Sequence, residues 1–213
     1  MRADHSNLPW DADYTRKGRL FGGTVPPFPV LPAGARVLEL GCGNGRLLSA
    51  MVHRGWMVTA IDFSVRATHL ARPSAMQGSG ADIAVADART IPFRDDSFDA
   101  VAAFHILGHA NADGRDRIAR EMIRVTRRGG HLWFCDFSVR DLRFGSGRET
   151  EPATFLRGNG IPTHYFTKME VSGLFPGLVC TSIRHAEWPL RVLGTDHLRS
   201  EISATFRKNL ELP

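Results

Sequence analysis

The sequence predicts an α/β fold: a mostly parallel sheet of seven strands with an antiparallel C-terminal hairpin and helices on both faces. From residue 36 to residue 137, short apolar runs alternate with segments of helical period. This alternation is typical of βαβ units and of a parallel sheet covered on both sides. Two strand-like stretches then follow, residues 178–192 and 197–208, with Leu-Gly-Thr-Asp between them as a turn.

The first half of the alternation contains two strands and two helices. "RVLEL" (36–40) and "MVTAID" (57–62) are predicted strands. "GRLLSAMVHRG" (45–55) is a predicted helix that Gly55 ends, as glycine does at helix C-termini. The segment 64–76 is predicted to be helical until Pro73 ends or breaks it.

The second half continues with "DIAVAD" (82–87) and "FDAVAAFH" (98–105) as strands. Residues 112–130 are predicted to form an amphipathic helix ended by Gly129 and Gly130, before a fifth strand at 131–137. Residues 138–163 show no clear period, which predicts a long functional or mobile loop, inserted on the substrate side of the domain. A short helix is expected within 165–175, because Thr167 and Glu170 have the spacing of a capping box.

Length and composition indicate one domain in a reducing compartment. The 213 residues are enough for a full core, and 1–33 are expected to form an N-terminal arm on a domain spanning 34–213. No apolar run reaches the roughly 18 residues of a membrane span, and no signal peptide is recognised. Three widely spaced cysteines without a CxxC pair argue against disulfides or a zinc site and favour the cytoplasm.

Three glycines follow the first strand directly, as Gly41-x-Gly43-x-Gly45. Ligands of parallel sheets bind beyond the carboxyl ends of the strands, where these glycines lie. The spacing is one residue tighter than the G-x-G-x-x-G of dinucleotide-binding proteins, which disfavours an NAD-dependent oxidoreductase. Asp62 ends the second strand and could accept hydrogen bonds from ribose hydroxyls, and Asp87 ends the third.

Four segments in order, "VLELGCGNG", "AIDFS", "VADARTIPFRDDSFDAV" and "MIRVTRRGGHLWF", resemble the class I S-adenosylmethionine-dependent methyltransferases. The resemblance covers about 34–137, and by topology about 165–208, and it implies a Rossmann-like fold. These motifs are similar to the ubiquinone/menaquinone-biosynthesis-like branch (methyltransferase-11). The arm "WDADYTRKGRLFGG" resembles the tellurite/thiopurine type, in which it closes over the cofactor. Trp10, Tyr14 and Phe21 would then form a lid, or simply pack the arm onto the domain.

The resemblance implies S-adenosyl-L-methionine as cofactor and S-adenosyl-L-homocysteine as product. The implied cofactor-binding residues are Glu39, Gly41, Cys42, Gly43, Asn44, Gly45, Asp62, Phe63, Ser64, Asp87, Ala88, Phe104 and His105. In this scheme Asp62 binds the ribose, Phe63 lies beside the adenine, and Asp87 accepts the adenine amino hydrogen. Each of four residues also has an alternative role that stays open. Gly45 could aid helix packing and Asp62 could cap a strand. Asp87 could form a turn, and His105 could be an ordinary hydrogen-bonded histidine at the rim of the sheet.

Candidate catalytic residues are chosen by location, because a methyl acceptor that carries a proton benefits from a general base. They are His105, His109 and Tyr165, with His164 nearby. His105 and His109 in "HILGH" have the spacing of a metal pair on a helix. A third ligand is not apparent, so no metal is expected.

The acceptor is expected to be a small molecule. The fourth strand ends in "FHILGH" rather than in the Asn/Asp-Pro-Pro-Tyr/Phe motif of enzymes that methylate bases. Four arginines in the segment 138–163 could bind an anionic acceptor. Alternatively, they could be solvent-exposed charges that pair with nearby acidic residues. These arginines are Arg140, Arg143, Arg148 and Arg157, and the acids are Asp141, Glu149 and Glu151.

Two other functions stay open. The net charge of +5 and the isoelectric point near 9.6 keep an RNA acceptor possible, although nucleic acid is less expected. A non-catalytic S-adenosylmethionine-binding regulator would keep the cofactor residues and lose the acceptor pocket. A monomer or a homodimer is expected, without a membrane partner.

Overall fold

The computed structural model describes residues 8–18, 28–77 and 80–210. The main sheet is built from β1 (Arg36–Leu40), β2 (Met57–Asp62), β3 (Ala81–Val85), β4 (Phe98–Phe104), β5 (Thr126–Phe137), β9 (Leu178–Val192) and β10 (Thr195–Lys208). Its strand order is β3-β2-β1-β4-β5-β10-β9. The first five strands run parallel, and β10 is antiparallel to both β5 and β9. The predicted parallel sheet with an antiparallel C-terminal hairpin is confirmed.

Five α-helices connect or flank these strands in the described part of the chain. They are α1 (Leu8–Lys17), α2 (Arg46–Val52), α3 (Val65–Ala75), α4 (Ala112–Val125) and α5 (Lys168–Gly173), with a 3₁₀ turn at Leu107–His109. The longest, α4, has 14 residues, so none of the described helices is long and apolar enough to cross a membrane.

The core lies on both faces of the sheet because alternate residues of each strand point in opposite directions. On one face, Ala100 and Ala102 of β4 pack in a cluster with α2 and α3. On the other face, Val101 and Ala103 of the same strand belong to a cluster with α4 and α5. Central strands with two buried faces explain the continuous apolar runs in the sequence.

Two predicted helix ends are wrong. Pro73 lies inside α3, which continues to Ala75. Proline is tolerated there because it is in the last turn and removes a single hydrogen bond. α4 ends at Val125 rather than at the two glycines, since the Thr126 hydroxyl donates to the Met122 carbonyl oxygen and extended backbone starts at Thr126.

The prediction of a long loop over residues 138–163 is also wrong. Strands β6 (Arg148–Glu151), β7 (Thr154–Leu156) and β8 (Pro162–His164) form a separate antiparallel sheet in that order. Strands of three or four residues are too short to show a period of two, so the pattern was not visible in the sequence. The N-cap of the short helix is confirmed, as Thr167 accepts from the main-chain nitrogen of Glu170 at the start of α5, while the Glu170 carboxylate bonds to His164.

Candidate functional site

A cavity of about 440 Å³ lies at the carboxyl ends of β1, β2 and β4. All implied cofactor residues except Gly45 and Ser64 line it. α1 and residues 160–162, before and at the start of β8, complete its wall. The topology places the cavity where the central strands of parallel sheets present their loops.

Asp62 fixes the glycine loop. Its Oδ2 accepts from the main-chain nitrogen of Gly43 at 2.9 Å, and its Oδ1 accepts from that of Ser64 at 2.9 Å. Burial raises the pKa of Asp62 to about 6, although these two hydrogen bonds act in the opposite direction. Each carboxylate oxygen has a second lone pair, which leaves acceptor capacity for a ligand.

Glu39, at 2% exposure, is an unsatisfied acid on the cavity wall. Its Oε2 has no hydrogen-bond partner among the described residues. Burial, with the charge of Asp62, raises the pKa of Glu39 to about 8. A ligand that carries donors or a positive charge would satisfy this atom, since unpaired buried polar groups are costly.

Gly45 and Ser64 have roles outside the cavity. Gly45 has φ +79°, and a Cβ there would lie 2.9 Å from Ser74 Cβ and 3.1 Å from Ala71 Cα. It therefore allows α2 to start in close contact with α3. Ser64 is fully buried and caps α3 by accepting from the main-chain nitrogen of Ala67.

α1 covers the glycine loop. Tyr14 is buried, and a Cβ on Gly43 would lie 2.7 Å from its hydroxyl oxygen. Asp11 accepts from the Ser64 hydroxyl. Asp13 accepts from Asn159 Nδ2 at 3.2 Å, which joins α1 to the segment before β8. Trp10 also lines the cavity. Phe21, the third residue suggested for a lid, lies outside the described residues.

Asp87 also lines the cavity, two residues beyond β3. Its carboxylate accepts from Arg89 through three bonds, the shortest 2.6 Å from Nη2. It also accepts from the main-chain nitrogen of Arg89, in the manner of a turn-forming aspartate. A ligand at this position therefore has to share Asp87 with the guanidinium group.

His109 lies in the cavity wall in its neutral form. Its Nδ1 is 2.8 Å from the main-chain oxygen of Pro162, which can only accept, so Nδ1 carries the proton and Nε2 the lone pair. Burial lowers the pKa of His109 and keeps the ring uncharged at neutral pH. Trp10 packs edge-on against it, with ring centroids 4.8 Å apart.

His105 also lines the cavity, but both its nitrogens face carboxylates. Nε2 is 3.3 Å from Glu201, and Nδ1 is 3.7 Å from Asp136. Burial alone would lower the pKa of His105, yet the two acids outweigh it and raise it to about 9. A ring protonated at neutral pH has no lone pair for a substrate proton, so the geometry does not favour His105 as a general base.

The structure does not bring Tyr165 and His164 to the cavity. Tyr165 is buried in a cluster with Phe137 and Phe155. His164 bonds to Thr154 at 2.8 Å and to Glu170 at 2.7 Å, which ties β7, β8 and α5 together. The arginines suggested for an anionic acceptor include Arg140, paired with Glu187, and Arg143, paired with Asp141.

Sequence reasoning missed several wall residues. Ile118 comes from the first half of α4, and Ile161 and Pro162 come from the segment leading into β8. These apolar residues belong to no sequence motif. They line the same cavity as the glycine loop only because of the tertiary fold. The position of Arg46, immediately after the glycine motif, is the one local signal that could have identified a further residue.

Comparisons with known proteins agree with this geometry. Residues 38–134 match the family model described as a methyltransferase domain. A demethylmenaquinone methyltransferase of Thermobifida fusca is 35% identical over 108 residues, covering 50% of this chain and 45% of the relative. A tRNA N(3)-methylcytidine methyltransferase of Drosophila melanogaster is 29% identical over 150 residues, covering 65% of this chain and 46% of the relative. The chain thus spans about half the length of the curated relatives that it matches.

The solved structure of an S-adenosylmethionine-dependent methyltransferase from Methanosarcina mazei has a TM-score of 0.73 and 25% identity to this chain. The alignment covers 88% of this chain and all of that one. The family match lies on the strands and loops that build the cavity. With the strand order of the sheet and the motifs at the strand ends, these similarities identify residues 38–134 as a methyltransferase domain of the class I S-adenosylmethionine-dependent family, whose cofactor is S-adenosylmethionine.

Proposed function

We propose that the protein transfers the methyl group of S-adenosylmethionine to a nucleophilic atom of an acceptor that enters beside His109. The observation that carries this is one cavity wall combining Asp62 and Glu39 with the neutral imidazole of His109. When bound, the cofactor supplies a methyl group that its sulfonium already activates.

The residues present suit such a cofactor. The unsatisfied Oε2 of Glu39 can take a hydrogen-bond donor of the cofactor's methionine part. Asp62 has free lone pairs for ribose hydroxyls while it keeps its bonds to the backbone. Phe63 lines the wall next to Asp62, and Asp87 with Ala88 forms the end where an adenine would bind.

His109 is the better candidate for a general base. Its Nδ1–H is held by the Pro162 carbonyl oxygen, which orients the ring and leaves Nε2 able to take a proton. His105 would instead support the floor of the cavity between its two carboxylates. The rest of the work is alignment, because holding the acceptor atom in line with the methyl group removes most of the entropic cost.

The wall beside His109 supports a small planar acceptor. Trp10, His109, Ile161 and Pro162 line this end of the cavity, and two of them are flat rings in edge contact. The whole cavity is near the lower end of the roughly 300–1,000 Å³ typical of ligand pockets. Cofactor and acceptor together must therefore fill it closely, which suits one ring rather than a large molecule.

One observation favours a second acceptor class. The tRNA methyltransferase relative aligns over 150 residues, whereas the demethylmenaquinone methyltransferase aligns over 108. The longer similarity extends beyond the 38–134 segment that the family model matches. A pyrimidine base of an RNA is a planar ring that could enter the same opening.

The proposed function is tested by cofactor binding followed by an acceptor screen. Calorimetry should show binding of S-adenosylhomocysteine and none of comparable strength for NAD. Release of S-adenosylhomocysteine should then be measured with a panel of phenols, quinols, heteroaromatic compounds and unmodified tRNA. Tight cofactor binding with no turnover on any acceptor would instead support the non-catalytic regulator, and equal NAD binding would contradict the assignment.

A further inference from the structure

We propose that His105, Cys135 and Glu201 bind one zinc-like divalent metal ion at the floor of the cavity. This inference goes beyond methyl transfer and does not depend on the acceptor. One potential ligand atom from each of the three residues lies within 4.8 Å of the other two. Among the described residues this is the one group of three or more such side chains with that spacing.

The sheet brings the three residues together from three neighbouring strands. His105 directly follows β4, where Phe104 pairs with Cys135 of β5. Glu201 of β10 pairs with Phe137, two residues after Cys135. Since side chains two residues apart share a face, Cys135, Phe137 and Glu201 point to the same side of the sheet.

Two of the three spacings between ligand side chains, each to a different oxygen of Glu201, are close to those of a tetrahedral site. At usual zinc bond lengths, ligand atoms of a tetrahedral site lie about 3.4–3.6 Å apart. His105 Nε2 is 3.3 Å from Glu201 Oε1, and Cys135 Sγ is 3.6 Å from Glu201 Oε2. An ion could therefore enter between the three side chains with little movement of the strands.

A second carboxylate lies behind the imidazole, as it does behind many metal-bound histidines. Asp136 Oδ1 is 3.7 Å from His105 Nδ1, the ring nitrogen that would not bind the ion. Asp136 is held in place because it accepts from the main-chain nitrogens of Gly108 and Phe137 at 2.8 and 2.9 Å. At 3.7 Å it forms no hydrogen bond with the ring, but its negative charge favours a proton on Nδ1.

The thiol distinguishes a metal site from a simple ion pair. Two carboxylates are enough to hold a protonated imidazole without sulfur, whereas here a buried cysteine lies against the carboxylate of Glu201, to which its Sγ donates a hydrogen bond. On binding, a divalent ion displaces the protons of Cys135 Sγ and His105 Nε2, which leave to solvent, and it neutralises the two negative charges of the thiolate and Glu201. Because His105 lines the cavity, a donor atom of an acceptor could reach the remaining position on the ion.

The test uses the full chain, stripped of metal with a chelator and titrated with Zn²⁺ or Co²⁺ alone. We expect one ion per chain after desalting, measured by elemental mass spectrometry. The Co²⁺ form should show the near-ultraviolet thiolate-to-cobalt absorption. Cys135→Ser and Glu201→Gln should each weaken binding by more than tenfold. Cys180→Ser is the matched control, because this cysteine is exposed near the start of β9, where it pairs with Phe206 and not with Glu201, and it should bind like the parent.

Three results would overturn the site: less than one ion per chain at saturation, an absent thiolate band, or unchanged affinity in both variants. S-adenosylhomocysteine affinity and the melting temperature of each variant report whether the fold is kept. If Cys135→Ser does not fold, Glu201→Gln decides alone, because its acid is partly exposed and its amide has nearly the same shape.

Discussion

His109 Nδ1 lies 2.8 Å from the main-chain oxygen of Pro162, across 53 residues of sequence. This contact joins the end of the fourth strand to the small antiparallel sheet and fixes which ring nitrogen is free. The neutral ring beside the cavity opening is the basis of the first prediction.

His109→Ala should lower single-turnover methyl transfer by roughly 10²–10⁴, the usual contribution of a general base. S-adenosylhomocysteine affinity should stay within a few-fold of the parent. His53→Ala is the matched control, because that histidine is exposed and bonded locally to Ser49. A loss confined to the acceptor KM would show that His109 positions the acceptor rather than taking a proton.

Cofactor affinity should rise with pH through about 6. Burial raises the pKa of Asp62 to about 6, and its ionised form is the better acceptor for ribose hydroxyls. The affinity for S-adenosylhomocysteine, measured by calorimetry from pH 5 to 8, should therefore increase up to about pH 7 and then level off.

Asp62→Asn should remove this pH dependence and weaken binding about 10- to 150-fold, since hydrogen bonds to a charged acceptor are worth about 1.5–3 kcal/mol. The variant cannot ionise and keeps one oxygen for a backbone bond. A variant with the same affinity and the same pH profile as the parent would remove Asp62 from the site.

Glu39 should make the ligand-free protein less stable as the pH rises. Its pKa is about 8 in the folded protein against about 4.5 for a solvent-exposed glutamate, so the folded state binds the proton more tightly than the unfolded one. Folding stability attributable to Glu39 is thus highest below pH 4.5 and falls until about pH 8. The Glu39→Gln side chain cannot ionise, so the folding stability of this variant does not fall with pH through this residue.

Urea unfolding of parent and Glu39→Gln at pH 5 and pH 8.5 measures the effect. The free energy of unfolding of the variant, relative to the parent, should increase by about 3–4 kcal/mol between the two pH values. An equal difference at both pH values would mean that Glu39 titrates normally in the folded state.

Deleting residues 1–22 should speed the dissociation of S-adenosylhomocysteine, because α1 covers the glycine loop through Tyr14. Asp11→Ala should have a weaker effect in the same direction, since Asp11 holds α1 to the start of α3. Stopped-flow displacement gives the rate. Unchanged rates in the truncated protein would show that α1 only packs against the domain.

The parts of the site that could be predicted are local in sequence. The glycine loop follows β1 directly, Asp62 is the last residue of β2 and Asp87 lies two residues after β3. Strand pattern and residue type together therefore place them on one edge of the sheet. In the folded protein two of these segments are in direct contact, because the main-chain nitrogen of Gly43 donates a buried hydrogen bond to Asp62.

The remaining features depend on distant pairing. Glu201 meets Cys135 across 66 residues, and Asn159 meets Asp13 across 146, without any motif at either end. The charge of His105 depends on two acids from different strands, so its residue type alone could not give its protonation state. Cys135 likewise belongs to no CxxC pair, so the sequence alone did not indicate the proposed metal site.

The bond between Asp13 and Asn159 joins the two boundaries of the cavity. It links the cover of the glycine loop to the wall beside the acceptor opening, so loosening one boundary should loosen the other. The cofactor site and the acceptor opening are therefore not independent: a change that breaks this bond should speed the dissociation of S-adenosylhomocysteine and also raise the KM of the acceptor.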